Sequence, residues 1–174
     1  MQINAFWKAG LLSLAMLGLA ACGTISGKRS SGSVAANKIK PVRINPAMQA
    51  DGGRELIMQS MDLVGTPYRW GGTTDAGFDC SGMIQYLYKN ALGVNLPRTS
   101  RDMAAASKGI SKSHLKAGDL VFFNTSGRGI SHVGLYIGND QFIHAPSSGK
   151  TIQTEKLSKP YYASRFVKAG TYFY

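Results

Sequence analysis

The chain has 174 residues, 44% of them hydrophobic and 10% aromatic. That is the length of one domain plus some extra, and a domain of about 150 residues buries roughly 70% of its unfolded surface, so no disulfide scaffold or structural metal is needed to hold a core. The formal charge is +11, from 20 Lys and Arg against 9 Asp and Glu; with no Lys/Arg-rich run, zinc-finger spacing or stacking motif, nucleic acid is not an expected partner, which leaves an anionic membrane or polymer, or a generally soluble basic surface.

Lys8 is the only charge in the first 21 residues. The apolar stretch from Ala9 to Ala21 is too short for a membrane span of about 20 residues. It has the size of a signal-peptide core and ends on small residues. Leu19-Ala20-Ala21-Cys22 resembles the bacterial lipobox. That resemblance implies that residues 1–21 are a lipoprotein signal peptide, that Cys22 is acylated, and that its acyl chains hold the protein to a membrane. Each buried methylene contributes about 0.8 kcal/mol, so several chains together anchor stably. Gly23 stands where an Asp would resemble the inner-membrane retention signal, so the periplasmic face of the outer membrane is the expected location. Plain secretion with cleavage near Ala21 is the competing reading.

Residues 22–50 are rich in Ser, Gly, Lys, Ala and Asn, with Pro41 and Pro46. No apolar period is sustained, so they read as a flexible tether. The folded domain is expected over 51–174. Leu56, Ile57, Met61 and Val64 predict a helix from Arg54 to Val64, stopped by Gly65-Thr66-Pro67. A Gly-rich loop runs from Tyr68 to Phe78. Asp79 is placed to cap a second helix from Cys80 to Ala91, whose buried stripe is Met83, Ile84, Leu87, Tyr88 and Ala91. Gly93 ends it. Thr99 or Ser100 caps a short helix through Ala106. From Gly118 the period changes to that of strands, predicted at 119–123, 131–137, 141–145, 150–154 and 166–173. Helices first and an antiparallel meander of about five strands second make an α+β fold.

The two cysteines are Cys22 and Cys80. An even count in a secreted chain allows a disulfide, but each sits in a motif that explains it. A Cys in the first turn of a helix faces unsatisfied N–H groups and the positive end of the helix dipole, which favours its thiolate. The N–H of Cys80 is also placed to donate to an oxyanion. A small buried Cys packing the helix is the alternative. Three histidines are present. His132 and His144 flank Gly138-Asn139-Asp140, a hairpin signal. A loop with an odd residue count centred on Gly138 sets them opposite one another on one face, against which the helix of Cys80 packs; a two-residue loop spoils that pairing. His132 then serves as general base and acid to Cys80, and His144 fixes the tautomer of His132. His114 reads as a surface loop residue without a role. Cys80, His132 and His144 lack a fourth metal ligand and a close ligand pair, so no metal or other cofactor is expected.

Tyr68-Arg69-Trp70-Gly71-Gly72, Asp79-Cys80-Ser81-Gly82, Leu96-Pro97-Arg98-Thr99-Ser100, Gly118-Asp119-Leu120-Val121-Phe122-Phe123, His132-Val133-Gly134-Leu135-Tyr136-Ile137-Gly138 and Phe142-Ile143-His144-Ala145 follow in order. Together they resemble the NlpC-type cell-wall cysteine peptidases. The resemblance implies a papain-like fold and a Cys80–His132–His144 triad. It implies that Tyr68 helps the oxyanion site and that Asp79 and Ser81 face substrate, although Asp79 reads equally as a helix cap. Arg98 reads as structural. Arg101-Asp102-Met103 stand where relatives often carry a Gln.

The implied activity is hydrolysis of an amide in the stems or cross-links of peptidoglycan, through an acyl-enzyme, by a monomer. Transfer of the same acyl group to an amine, and wall binding without catalysis, are the alternatives.

Overall fold

The computed structural model describes residues 39–174. The expected signal peptide, the lipidation site Cys22 and most of the 22–50 tether lie outside them. The chain is held to the domain well before Asp51. Val42 N–H donates to Ala106 O at 3.1 Å, and Ile44 N–H to Tyr172 O at 2.7 Å. Ile44 is buried and bridges Phe173 in parallel. Asn45 then caps a 3-10 turn, Pro46–Met48, by accepting from Ala47 N–H at 3.0 Å. The expected boundary at 51 therefore moves upstream. Two alternating apolar residues between prolines are too few to show a period, yet they suffice to pair with the last strand.

Helix α1 spans Gln49–Asp62 and buries Gly52, Gly53, Leu56 and Ser60. Its start lies five residues earlier than expected, and Met61 and Val64 of the predicted stripe are exposed. Two short strands follow, β1 (Thr73–Thr74) and β2 (Gly77–Phe78), paired antiparallel. Helix α2 runs Cys80–Leu92. Asp79 caps it by accepting from Gly82 N–H at 2.7 Å, and Gly93 closes it at φ 67°. Helix α3 is Ser100–Ala106, capped by Thr99. Tyr88, at 0% exposure, donates from its hydroxyl to Gly118 O, and Tyr172 to Met103 O at 2.9 Å. Buried tyrosines keep their polar ends partnered in this way.

The main sheet comprises β3 (Lys108–Ile110), β4 (Leu120–Phe123), β5 (His132–Gly138), β6 (Gln141–His144), β7 (Gln153–Lys156) and β8 (Phe166–Thr171). Its order is β3-β8-β4-β5-β6-β7, antiparallel throughout. The fold is α+β, with six strands in this sheet rather than about five. The strand missed is β3, whose Lys-Gly-Ile has no alternation to read. A four-residue helix, α4 (Pro160–Ala163), lies between β7 and β8. One sheet face carries Leu120, Phe122, Val133, Leu135 and Ile143 into the main core with Leu56, Met83, Ile84, Leu87 and Tyr88. The other carries Val121, Phe123 and Phe142 against Leu157 and Tyr162.

The β5–β6 hairpin turns on two residues, Asn139 and Asp140, at φ 50° and 62°, with Gly138 paired to Gln141. A bulge between Tyr136 and Gly138 then resets the register to Tyr136↔Phe142 and Leu135↔Ile143. One extra residue on one strand restores the parity that a two-residue loop would have broken. His132 and His144 therefore share a face. They are offset along the strands rather than directly opposite, as Leu135↔Ile143 requires.

Gly134 lies on the same face, two residues on from His132. A Cβ there would stand 2.5 Å from Phe142 Cδ2 and 3.1 Å from Ile143 O. Overpacking of a filled core costs about 1–3 kcal/mol. Gly134→Ala is expected to lower Tm by about 5 °C or more in thermal denaturation, and an unchanged Tm would show that Phe142 yields freely.

Candidate active site

Cys80 opens α2, and the Gly-rich loop folds back over that helix tip. Asp79 N–H donates to Gly72 O at 3.1 Å, and Gly71 N–H to Asp79 Oδ2 at 3.1 Å. Gly82 admits this approach because any Cβ would fall 2.0 Å from Gly72 O. Tyr68 bridges Phe78 in parallel. The Asp79 carboxylate also accepts from Ser81 Oγ at 3.2 Å and from both terminal nitrogens of Arg98, and Arg98 Nη1 donates to Ser81 Oγ at 2.8 Å. Burial pushes the Asp79 carboxyl up, but Arg98, Gly82 N–H and Ser81 outweigh it and hold the pKa below its ordinary value. Asp79 is thus an ionised helix cap. Arg98, given no functional role in the sequence, is its counterion.

Tyr68, Trp70, Asp79, Cys80, Ser81, Arg98 and His132 line one cleft of about 670 Å³. The three residues expected beside the nucleophile, Tyr68, Asp79 and Ser81, are all brought to it. Trp70 stands on the rim at 87% exposure. Cys80 is a free thiol. The Val133 and Ser81 N–H groups point at its sulfur, and both, with Arg98, favour the thiolate. Burial first, and then the Asp79 carboxylate, push the other way, and the thiol ends above its ordinary pKa. The lowering expected from the helix N-terminus is real but smaller than these two. Tyr68 is likewise pushed up by burial and by the Cys80 and Asp79 negative charges, so its hydroxyl keeps its proton.

His132 is 4% exposed and His144 fully buried. Phe123 pairs with His132, and Phe123 and Phe142 belong to the second core, so the histidines lie on the face that α2 does not cover. This corrects the expectation that α2 packs against the histidine face. Contact is made end-on instead: the tip of α2 meets the start of β5, where Val133 N–H faces the sulfur.

His132 Nε2 and His144 Nδ1 are hydrogen-bonded at 2.7 Å, and His144 Nε2 and Tyr162 Oη at 3.2 Å. One proton arrangement leaves His132 Nδ1 free as a base. In it His132 Nε2–H donates to His144 Nδ1, and His144 Nε2–H donates to Tyr162 Oη. Tyr162 was not identified from the sequence, because it sits in a four-residue helix with no period; the only signal was the aromatic pair Tyr161-Tyr162 after Pro160. Burial, then Glu155, push Tyr162 up to about 12, so it stays neutral. His114 lies apart, on a 3-10 turn with Ser111.

Burial lowers the His132 pKa to about 4. It also lowers that of His144, aided by His132, Lys150 and Lys159. Unfolded imidazole titrates near 6.5. Below about 6.5 the unfolded chain therefore binds more protons than the native one, and stability is lost as pH falls towards about 4. Tm is expected to drop steadily between pH 7 and 4.5, and His144→Asn to flatten that slope. A slope equal in both proteins would contradict the assignment.

The NlpC/P60 family model matches residues 65–171. Over 113 residues the chain is 46% identical to the murein DD-endopeptidase MepH of Escherichia coli, covering 63% of this chain and 42% of the relative. It is 42% identical over 120 residues to a gamma-D-glutamyl-L-lysine dipeptidyl-peptidase of Bacillus subtilis, covering 67% of this chain and 40% of the relative. The crystal structure of an NlpC/P60 family protein from Bacillus cereus matches with a TM-score of 0.66 at 35% identity, over 70% of this chain and 40% of that one. The chain thus spans about two fifths of the length of these three proteins. Cys80, His132 and His144 all fall within the matched residues, and the chain belongs to the NlpC/P60 family.

Proposed function

We propose that this protein is a cysteine peptidase that hydrolyses an amide bond in the peptide stems or cross-links of peptidoglycan. The observation that carries the reading is geometric. Cys80 and His132 open into one cleft, and the far nitrogen of His132 is tied to His144 at 2.7 Å. In the proposed reaction His132 Nδ1 takes the Cys80 proton as the sulfur attacks the scissile carbonyl. Both groups are neutral at rest, because burial raises the thiol and lowers the imidazole. The proton therefore moves with the attack. The Cys80 N–H, which has no partner within its helix, and the Tyr68 hydroxyl stabilise the oxyanion. His132 returns the proton to the leaving amine, the C–N bond breaks, and an acyl-enzyme thioester remains. Water, deprotonated by His132, then releases the acid and restores the thiol.

Two bonds are candidates, γ-D-glutamyl–meso-diaminopimelate in a stem and D-alanyl–meso-diaminopimelate in a cross-link. The name of the E. coli relative points to a DD-bond and that of the B. subtilis relative to a γ-D-glutamyl bond. We place the protein, as a monomer, on the periplasmic face of the outer membrane, tethered by acyl chains on Cys22. The Leu19-Ala20-Ala21-Cys22 sequence supports this.

Digestion of purified peptidoglycan by the full-length protein in detergent, followed by mass analysis, is expected to give new amino termini that identify the bond. Cys80→Ala is expected to give none. Tyr162→Phe removes one hydrogen bond to His144, worth about 1 kcal/mol, and is expected to lower kcat several-fold with KM unchanged. Wall left intact by both the native protein and Cys80→Ala would favour binding without catalysis. Cys22→Ser is expected to leave activity in place and move the protein from the membrane to the soluble fraction; equal membrane recovery would refute the lipid anchor.

A further inference from the structure

A second cavity, of about 480 Å³, adjoins the cleft of Cys80. The two share Thr125, His132 and Pro146. From His132 the second cavity runs on past His144 to Lys150, Glu155, Lys159 and Tyr162. Its place relative to the histidine decides which half of a substrate it meets. The leaving nitrogen must come within hydrogen-bonding reach of His132 to receive its proton. The part of the substrate attached to that nitrogen therefore departs on the His132 side of the sulfur, where this cavity lies.

The charges of the cavity are not balanced. Lys159 Nζ donates to both oxygens of Glu155, at 2.8 and 2.9 Å, and Gln153 Nε2 donates to Glu155 Oε1 at 3.1 Å. Glu155 is thereby neutralised. Lys150 forms no ion pair among the described residues. Its backbone is fixed from two sides: Lys150 N–H donates to Ser147 O at 3.2 Å, and Lys150 O accepts from Tyr68 N–H at 2.8 Å. The ammonium thus springs from a segment tied to the Tyr68 wall of the first cleft. Lys150 and Lys159 both line the cavity with His144 and act on it electrostatically. One uncompensated cation beside a neutral histidine pair suits a single carboxylate.

We propose that this cavity is the subsite for the leaving-amine half of the substrate, and that Lys150 binds a free carboxylate carried by that half. The inference rests on the peptidase reading above and adds a selectivity to it: a diamino acid with a free carboxylate is accepted, and its carboxamide is discriminated against.

Binding and turnover test the two readings separately. In the first arm, full-length Cys80→Ala protein in detergent is titrated with meso-diaminopimelate or its dicarboxamide, which keeps no free carboxylate, with NMR shifts of Lys150 and Tyr162 as readout. The free acid is expected to shift both signals and to bind about tenfold more tightly than the amide, as one charge-assisted hydrogen bond allows. Lys150→Met is expected to abolish the difference and Lys150→Arg to retain it. Equal affinity for acid and amide, or a preference that survives Lys150→Met, overturns the subsite. In the second arm, native protein is given muropeptides that differ only in that carboxylate. A lower KM for the free acid, lost in Lys150→Met with kcat kept, supports the subsite in turnover, and an equal KM for both overturns it. Absence of turnover with either muropeptide overturns the peptidase reading, while the binding arm still decides the subsite.

Discussion

The Asp79 carboxylate is the interaction on which the site depends. It is about 9% exposed and accepts from Gly71 N–H, Gly82 N–H, Ser81 and both ends of the Arg98 guanidinium. Those donors come from the Gly-rich loop, the first turn of α2 and the segment that leads into α3. One carboxylate thus pins three pieces of chain around the next residue, Cys80. A buried charge is costly unless it is fully partnered, and here it is. The same carboxylate opposes ionisation of the thiol beside it. Arg98 partly offsets that effect while completing the clamp, so one ion pair both holds the thiol in place and adds to the effect of burial on its protonation.

The second constraint is parity along β5 and β6. The Asn139-Asp140 turn has the positive φ values that suit a tight two-residue hairpin. Alone it would place His132 and His144 on opposite faces. The bulge at Ile137 shifts the register by one and returns them to the same face. The 2.7 Å contact between their rings therefore depends on an irregularity several residues away. Gly134 contributes by leaving room for Phe142 between the two rings' strands.

How much of this was legible in the sequence differs by element. Helix α2 was, because Asp79, its apolar stripe and Gly93 all agree. Helix α1 was displaced, because its buried face is Gly52, Gly53 and Ser60 as much as Leu56; small residues that let a helix approach its neighbour closely carry no apolar signal. Strand β3 and helix α4 are three and four residues long and have no period to show. The chemistry and alternation of Cys80, His132 and His144 single them out as candidates, and the structure sets Cys80 and His132 in one cleft with His144 hydrogen-bonded to His132. Alternation says that two residues share a face, but not which face a helix covers, so the docking of α2 was assigned to the wrong side. The places of Arg98 and Tyr162 beside the site are not legible for a related reason: each is joined to it by a partner distant in sequence, Asp79 and His144 respectively.

Burial explains why the proposed nucleophile and base rest uncharged. It raises the Cys80 thiol and lowers His132, two shifts that both disfavour a thiolate–imidazolium pair. The stabilising groups are already aimed at the charges that the reaction would create. Val133 and Ser81 N–H face the sulfur. His144, held by Tyr162, is bonded to His132 Nε2, opposite the nitrogen that would take the proton. Dipoles fixed in advance need no reorganisation when charge appears, and they act more strongly where water is excluded. A site built in this way keeps its thiol protonated until a nearby group takes the proton, and the protonated thiol is less open to oxidants than the thiolate.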